Sequence, residues 1–268
     1  MKNTFGFIGT GTMGSTLAEA AAKTLPLNNI CLSNRTLIKA EALARRLGCR
    51  YATATDTAAS CSFLLLGVKP QQMEMLLTDL SPVLAERKDE FVLVSMAAGL
   101  TMERIQAMAG GDYPVIRIMP NTPCAVGAGM ILFDATDNVT LEALSLFLNA
   151  MEPAGVFDRL PENLIDAASA VAGCGPAFAS MFLEALADGG VACGLPREKA
   201  LLYASQMLLG TAKLALKTNK HPGQLKDAVC SPGGSTIAGV QALEEGALRG
   251  AVMDAVRCSF ERNRELGK

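Results

Sequence analysis

Short apolar runs recur through the first half of the chain, each closed by turn residues: Thr4–Ile8, Ile30–Leu32, Phe63–Val68, Phe91–Ser95, Val115–Met119 and Gly129–Phe133. Short apolar runs bounded in this way suit strands buried on both faces of a parallel sheet. Segments of helical spacing separate the first four, and a shorter one, Met102–Met108, precedes the fifth. Thr140–Met151 predicts a further helix and Gly155–Arg159 a last strand. From Pro161 the strand pattern stops, and helical blocks follow at Glu162–Ala192, Arg197–Thr218, Gly223–Val229 and Ser235–Leu266. The predicted class is α/β: a mostly parallel sheet over 1–160, then an all-α domain over 161–268. Pro176 interrupts the first block, because proline has no N–H to continue a helix.

Composition narrows this picture without redirecting it. The chain has 268 residues, half of them apolar, and a net charge of −2, so it offers no basic field for nucleic acid or anionic lipid. Aromatics are 5% and tryptophan is absent, which argues against stacking platforms for single strands. The first strand follows directly on Met1-Lys2-Asn3, so no signal peptide is expected and the protein is expected in the cytoplasm. Ala167–Leu183 lacks charges but is rich in Ala, Gly and Ser, and reads as a buried helix in preference to a membrane span. So much apolar surface on a short helical half calls for a second copy to cover it, predicting a homodimer. The eight cysteines show no CxxC and no regular spacing, so reduced thiols and no metal site are expected. His221, the only histidine, reads as a solvated loop residue.

The chemistry concentrates where strands end. Gly9-Thr10-Gly11-Thr12-Met13-Gly14 joins the first strand to a helix predicted over Ser15–Leu25. That placement makes it the fingerprint of a Rossmann-like dinucleotide domain. Gly9 permits a tight turn, Gly11 lets backbone approach a pyrophosphate, and Gly14 lets helix and strand pack closely. The second strand ends in Ser33-Asn34-Arg35-Thr36, with no carboxylate until Glu41. An acidic residue there would hold a ribose 2′-hydroxyl, whereas Ser33, Asn34 and Arg35 suit a 2′-phosphate. NADPH is thus preferred, with NADH the weaker donor, although the same residues also suit a cap for the helix Leu37–Leu47. Three more strand ends carry turn residues: Val68-Lys69-Pro70, Met96-Ala97-Ala98-Gly99 and Pro120-Asn121-Thr122-Pro123.

In the helical half, Ser231-Pro232-Gly233-Gly234-Ser235-Thr236 leads into a helix and offers a concave run of N–H groups flanked by hydroxyls. A carboxylate is the natural guest. The competing reading is a plain N-cap made by Ser235 or Thr236.

Taken together, five motifs resemble pyrroline-5-carboxylate reductase. They are Gly6-Phe7-Ile8-Gly9-x-Gly11-x-Met13-Gly14, Val68-Lys69-Pro70, Met119-Pro120-Asn121-Thr122-Pro123, Gly173-x-Gly175-Pro176-Ala177 and Ser231-Pro232-Gly233-Gly234-x-Thr236. Cys174 stands where that family usually has Ser, and Phe178 where it often has Tyr. The resemblance implies hydride transfer from NADPH to a cyclic imine bearing a carboxylate, giving L-proline. It implies that Gly9–Gly14 takes the pyrophosphate, and that Val68, Lys69, Pro70, Ala97, Ala98, Gly99 and Asn121 line the rest of the cofactor. On the substrate side it implies Ser231, Gly233, Gly234, Ser235 and Thr236, with Thr236 the catalytic donor to the ring nitrogen, the Val229 carbonyl an acceptor and Glu162 within reach. A protonated imine is already electrophilic, so the implied reaction needs no strong catalytic acid. Two rivals share the architecture: a β-hydroxyacid dehydrogenase, and a non-catalytic NADPH-binding protein. The former resembles a pattern of lysine followed four residues later by Asn, which Lys199, Lys213, Lys217 and Lys226 do not show.

Overall fold

The computed structural model describes residues 1–266. They fall into two compact units, Met1–Cys174 with the C-terminal residues from Ser259, and Gly175–Cys258.

The first unit runs β1 (Phe5–Ile8), α1 (Thr12–Ala21), β2 (Ile30–Ser33), α2 (Leu37–Leu47), β3 (Arg50–Tyr51), α3 (Ala54–Ser60), β4 (Phe63–Leu66), α4 (Pro70–Glu86), β5 (Val92–Ser95), α5 (Met102–Ala109), β6 (Val115–Met119), β7 (Gly129–Ala135), α6 (Leu141–Met151), β8 (Gly155–Arg159) and α7 (Glu162–Ala172). The sheet order is β3-β2-β1-β4-β5-β6-β7-β8. Every pairing is parallel except β6 with β7. Every residue of β1, β2, β4, β5 and β6 is buried, as their short apolar runs predict. Strand period two sends successive side chains to opposite faces. Phe5, Phe7, Ile30, Leu32, Phe63 and Leu65 pack with Leu17 of α1 and Phe147 of α6. Ile8, Leu64, Leu66 and Leu93 pack on the other face with Leu77 of α4 and Ile105 of α5.

Several elements depart from the sequence expectations. Helix α1 starts at Thr12, not Ser15, because Gly11 is its N-cap residue. The two-residue edge strand β3 is too short to carry a periodic signal. The block expected over Ser235–Leu266 is two helices, turning at Ala247 with φ 53. Finally, α7 belongs with the sheet: Ile165 is fully buried against Met119 and Leu132, and Asp166 binds Arg117 of β6. The unit boundary therefore lies after Cys174, where the sequence pattern put it at 160.

The second unit holds α8 (Gly175–Ala192), α9 (Arg197–Thr218), α10 (Pro222–Asp227), α11 (Ser235–Glu245) and most of α12 (Leu248–Leu266). Helices α8 and α9 meet through small residues, Ala187, Ala200 and Ala204, all buried. Gly190 lets the two helices approach closely, since a Cβ on it would lie 3.2 Å from Ala200 Cβ. Large apolar side chains elsewhere in the unit are exposed, among them Leu216 (80%), Met181 (71%) and Met253 (67%). The segment Glu162–Ala192 is long and apolar enough to cross a membrane by length and composition alone, and only 11% of its most apolar window is buried. The expected burial of Ala167–Leu183 is therefore not achieved within a single chain. His221 is exposed, as expected, but it also caps α10, its Nδ1 accepting from Gly223 N at 3.1 Å.

Candidate active site

Parallel register sets the strand ends level. Ile8 pairs with Ser33 and with Leu66, Leu66 with Ser95, and Ser95 with Arg117. The loops after β1, β2, β4, β5 and β6 therefore leave one edge of the sheet together. The chain winds from β1 outward to β3 and restarts at β4 beside β1, so the β1 and β4 exits flank the switch point where α/β sheets bind ligands. A cavity of about 290 Å³ lined by Met1, Lys2, Ser62, Asp89 and Glu90 lies at the opposite, amino-terminal edge, away from these loops.

The three fingerprint glycines have separate physical reasons. Gly9 has φ 107, a conformation that side chains disfavour, and a Cβ on it would meet the Gly67 carbonyl at 2.6 Å. A Cβ on Gly14 would overlap the Gly9 carbonyl oxygen. A Cβ on Gly11 would meet nothing within 4 Å, so that position faces free space. No side chain caps α1, so its first-turn N–H groups have no side-chain partner. This is a cradle whose crowded walls are backbone and whose floor is open, and it fits a dinucleotide pyrophosphate. Gly67, which the sequence reading passed over as the end of a strand, completes it. A Cβ on Gly67 would also overlap the Gly9 carbonyl.

Asn34 Nδ2 donates to Thr10 Oγ1 at 2.9 Å, and Asn34 Oδ1 accepts from Thr36 N at 3.1 Å. The β2 exit is thereby tied to the glycine loop. Arg35 is exposed and makes no hydrogen bond or ion pair among the described residues. Ser33 differs from expectation. It ends β2, is 1% exposed, and its buried hydroxyl has no protein partner, so Asn34 and Arg35 are the members of the trio at the surface. The hydrogen bond with Cys31 and burial push the Cys61 thiol up. All eight cysteines are free thiols.

Lys69 is exposed at the N-cap of α4, with Pro70 opening the helix and Val68 half-buried. In the β5 exit, Ala97 is buried and its N–H reaches Ser95 Oγ at 3.4 Å, Ala98 is half-buried, and Gly99 takes φ 76. Asn121, expected on the cofactor, uses both ends of its amide inside the protein. Its Oδ1 accepts from Met130 N at 3.1 Å, and its Nδ2 donates to the Ala172 carbonyl at 2.9 Å. Ala172 lies four residues before Pro176, which has no N–H to offer that carbonyl.

Glu162, expected near the substrate, is likewise turned to the scaffold. Its Oε1 accepts from Met102 N at 2.7 Å and from Arg117 Nη1 at 3.3 Å. Arg117 is 2% exposed in the middle of β6, and its Nη2 also reaches Asp166 Oδ1 at 2.7 Å. Sequence reading missed Arg117, although a lone arginine inside Val-Ile-Arg-Ile-Met was a visible signal for a buried ion pair.

In the second unit, Gly233 takes φ 68 and Gly234 is the N-cap residue of α11. Neither Ser235 nor Thr236 caps the helix; they are its first two residues, and no side chain bonds to its first turn. The plain-cap reading fails on that geometry. One donor is lost to the turn itself, because Gly234 N bonds to Ser231 O at 3.0 Å. The exposed hydroxyls of Ser231, Ser235 and Thr236 surround this helix start, and Val229 lies exposed just before it.

Family models match two stretches. Residues 162–266 match pyrroline-5-carboxylate reductase dimerisation, and residues 4–99 match NADP oxidoreductase coenzyme F420-dependent. Pyrroline-5-carboxylate reductase of Arabidopsis thaliana is 39% identical over 98% of this chain and 95% of its own. That of Escherichia coli is 38% identical over the whole of both. The chain belongs to the pyrroline-5-carboxylate reductase family. Among solved structures it is similar to Plasmodium falciparum pyrroline carboxylate reductase with NADP bound, with TM-score 0.89 and 29% identity over 99% of this chain and 98% of that one. It is also similar to the Coxiella burnetii enzyme, with TM-score 0.88 and 32% identity over 99% and 98% of the two chains. Membership makes it an NAD(P)H-dependent oxidoreductase with an oligomerising helical domain.

Proposed function

We infer that this protein reduces 1-pyrroline-5-carboxylate to L-proline, the last step of proline biosynthesis, with NADPH as donor and NADH as a weaker one. The carrying observation is the open glycine cradle at the sheet's switch point in a chain whose family likeness runs end to end. When bound, the nicotinamide supplies the hydride that the imine carbon receives.

The chain's own residues bind and orient. Gly9–Gly14 and the α1 N–H groups hold the pyrophosphate, and Asn34 and Arg35 the 2′-phosphate. Val68, Lys69 and Pro70, with Ala97, Ala98 and Gly99, flank the ribose and nicotinamide. The N–H groups of Gly233, Ser235 and Thr236, with the Ser231 hydroxyl, bind the substrate carboxylate at the start of α11. Thr236 Oγ1 donates to the lone pair of the neutral ring nitrogen, orients the imine and relays a proton from solvent to it. The Val229 carbonyl then accepts from the N–H so formed. Alignment of the reacting atoms supplies most of the rate.

Loss of NADPH absorbance on adding pyrroline-5-carboxylate tests this reading. No oxidation with the imine, or turnover of 3-hydroxy acids with NADP in its place, overturns it in favour of the dehydrogenase rival. In the same assay Thr236→Ala should lower kcat about tenfold, roughly one hydrogen bond, with an unchanged melting temperature. Unchanged kinetics would remove Thr236 from the chemistry.

The assembly we propose is a homodimer through the helical unit, alone or as the building block of larger sets, in the cytoplasm. The exposed Met181, Leu216 and Met253 call for such cover. Light scattering at micromolar concentration should return at least twice the chain mass, and a clean monomer would contradict the proposal.

A further inference from the structure

The loop Met96–Leu100 leaves β5 and enters α5, and both of its ends are pinned. The β5 end is fixed by ladders to β4 and β6, with Ser95 opposite Leu66 on one side and Arg117 on the other. The α5 end is held by two bonds. Thr101 Oγ1 accepts from Arg104 N at 3.2 Å within the helix start, and Glu162 Oε1 accepts from Met102 N at 2.7 Å from 60 residues away. Of these two, the second is the one that reaches another element.

Glu162 is itself held in place. Its own N–H donates to Asp134 Oδ2 at 2.9 Å, and its carboxylate meets Arg117 Nη1 at 3.3 Å. Asp166, one helical turn on, holds Arg117 Nη2 at 2.7 Å, and Arg159 Nε reaches Asp134 Oδ1 at 3.3 Å. Arg117 is buried on β6 directly beside Ser95 of β5. A buried guanidinium needs its carboxylates, so it fixes where Glu162 sits, and Glu162 then fixes where α5 begins. A carboxylate at a helix start also gains from the free N–H groups and the dipole.

We propose that Glu162 is a positioning residue for the cofactor loop Ala97–Gly99, acting through the Met102 N–H and held by Arg117, and that it does not bind the substrate. The proposal rests on the placing of Ala97–Gly99 against the cofactor, but its decisive readout is NADPH binding without imine, so it stands apart from the identity of the substrate. Ile105 and Ala109 keep α5 packed on the sheet, so losing the Met102 bond loosens only its first turn, where Ala97–Gly99 joins it, and site geometry tolerates little drift.

The test uses the full-length protein and three variants. NADPH dissociation constants come from cofactor fluorescence, and the KM for the imine is measured at saturating NADPH. Glu162→Ala should weaken NADPH binding about tenfold and leave the imine KM within about twofold. Glu162→Gln keeps an oxygen acceptor for Met102 N and should restore most of the affinity. Met102→Pro removes the N–H from the other side at a position where a helix start tolerates proline. It should weaken NADPH to a similar extent, and Glu162→Ala/Met102→Pro together should do little more than either alone. If Glu162→Ala fails to fold, Met102→Pro and Glu162→Gln still decide the matter. An imine KM that rises while NADPH binding holds would place Glu162 on the substrate and overturn the proposal. A lower melting temperature with every constant unchanged would reduce Glu162 to a stabilising ion pair and overturn it equally.

Discussion

Arg35→Ala is expected to raise the KM for NADPH by about tenfold to a hundredfold and to leave that for NADH within about twofold. The guanidinium stands exposed at the β2 exit, with no ion pair or hydrogen bond of its own among the described residues. It can therefore meet a phosphate without first breaking a protein contact. A charge-assisted bond to a phosphate is worth about 1.5–3 kcal/mol, and about 1.4 kcal/mol is a factor of ten. NADH carries no 2′-phosphate and loses nothing. The fold should not respond, because the side chain supports nothing else. Initial rates with both donors decide it, and equal effects on the two would reject the 2′-phosphate role. Asn34→Ala should be less selective, since its amide also ties the β2 exit to Thr10.

Gly14→Ala and Gly11→Ala should separate stability from binding within one motif. At Gly14 the added methyl overlaps the Gly9 carbonyl oxygen, and backbone cannot swing aside as a side-chain tip can. Helix α1 must then move off β1, an overpacking cost of about 1–3 kcal/mol. For a unit of this size that is a fall in melting temperature of several degrees, at about 2–4 °C per kcal/mol. NADPH binding should be lost with it, because the N–H donors move with the helix. At Gly11 the methyl meets no protein atom, so the melting temperature without cofactor should hold. It stands in the open floor of the cradle, and NADPH affinity should fall by tenfold or more. Thermal melts of the apo-protein beside fluorescence titrations read both. A destabilised Gly11→Ala, or a Gly14→Ala with native stability, would show that the glycine roles are assigned wrongly.

The fold was legible wherever physics is local and periodic. Short, mostly apolar runs marked β1, β2, β4, β5 and β6, all of them buried. Chain-adjacent chemistry was legible for the same reason: the glycine turn, the missing carboxylate after β2, and a Gly-Gly pair before α11. Distant partners were not legible: Asn121 and Glu162 bond to Ala172 and Met102, 51 and 60 residues away. Ser33 looked like surface because Asn34 and Arg35 are, but strand pairing carries one residue further and takes its side chain inside.

By itself, then, the sequence determined the α/β class, the glycine turn after β1 and the absence of a carboxylate after β2. Those follow from backbone conformation, hydrophobic period and charge within a few neighbouring residues. Only the tertiary structure decided which glycine crowds and which lies open, since that depends on how closely the Gly9, Gly14 and Gly67 backbones approach. It alone turned Arg117, Glu162 and Asp166 into one buried ion network and moved α7 to the sheet. It also left the helical unit's apolar side chains uncovered in a single chain. Contacts of that kind join residues far apart along the chain, and register and packing, which no local pattern encodes, choose the partners.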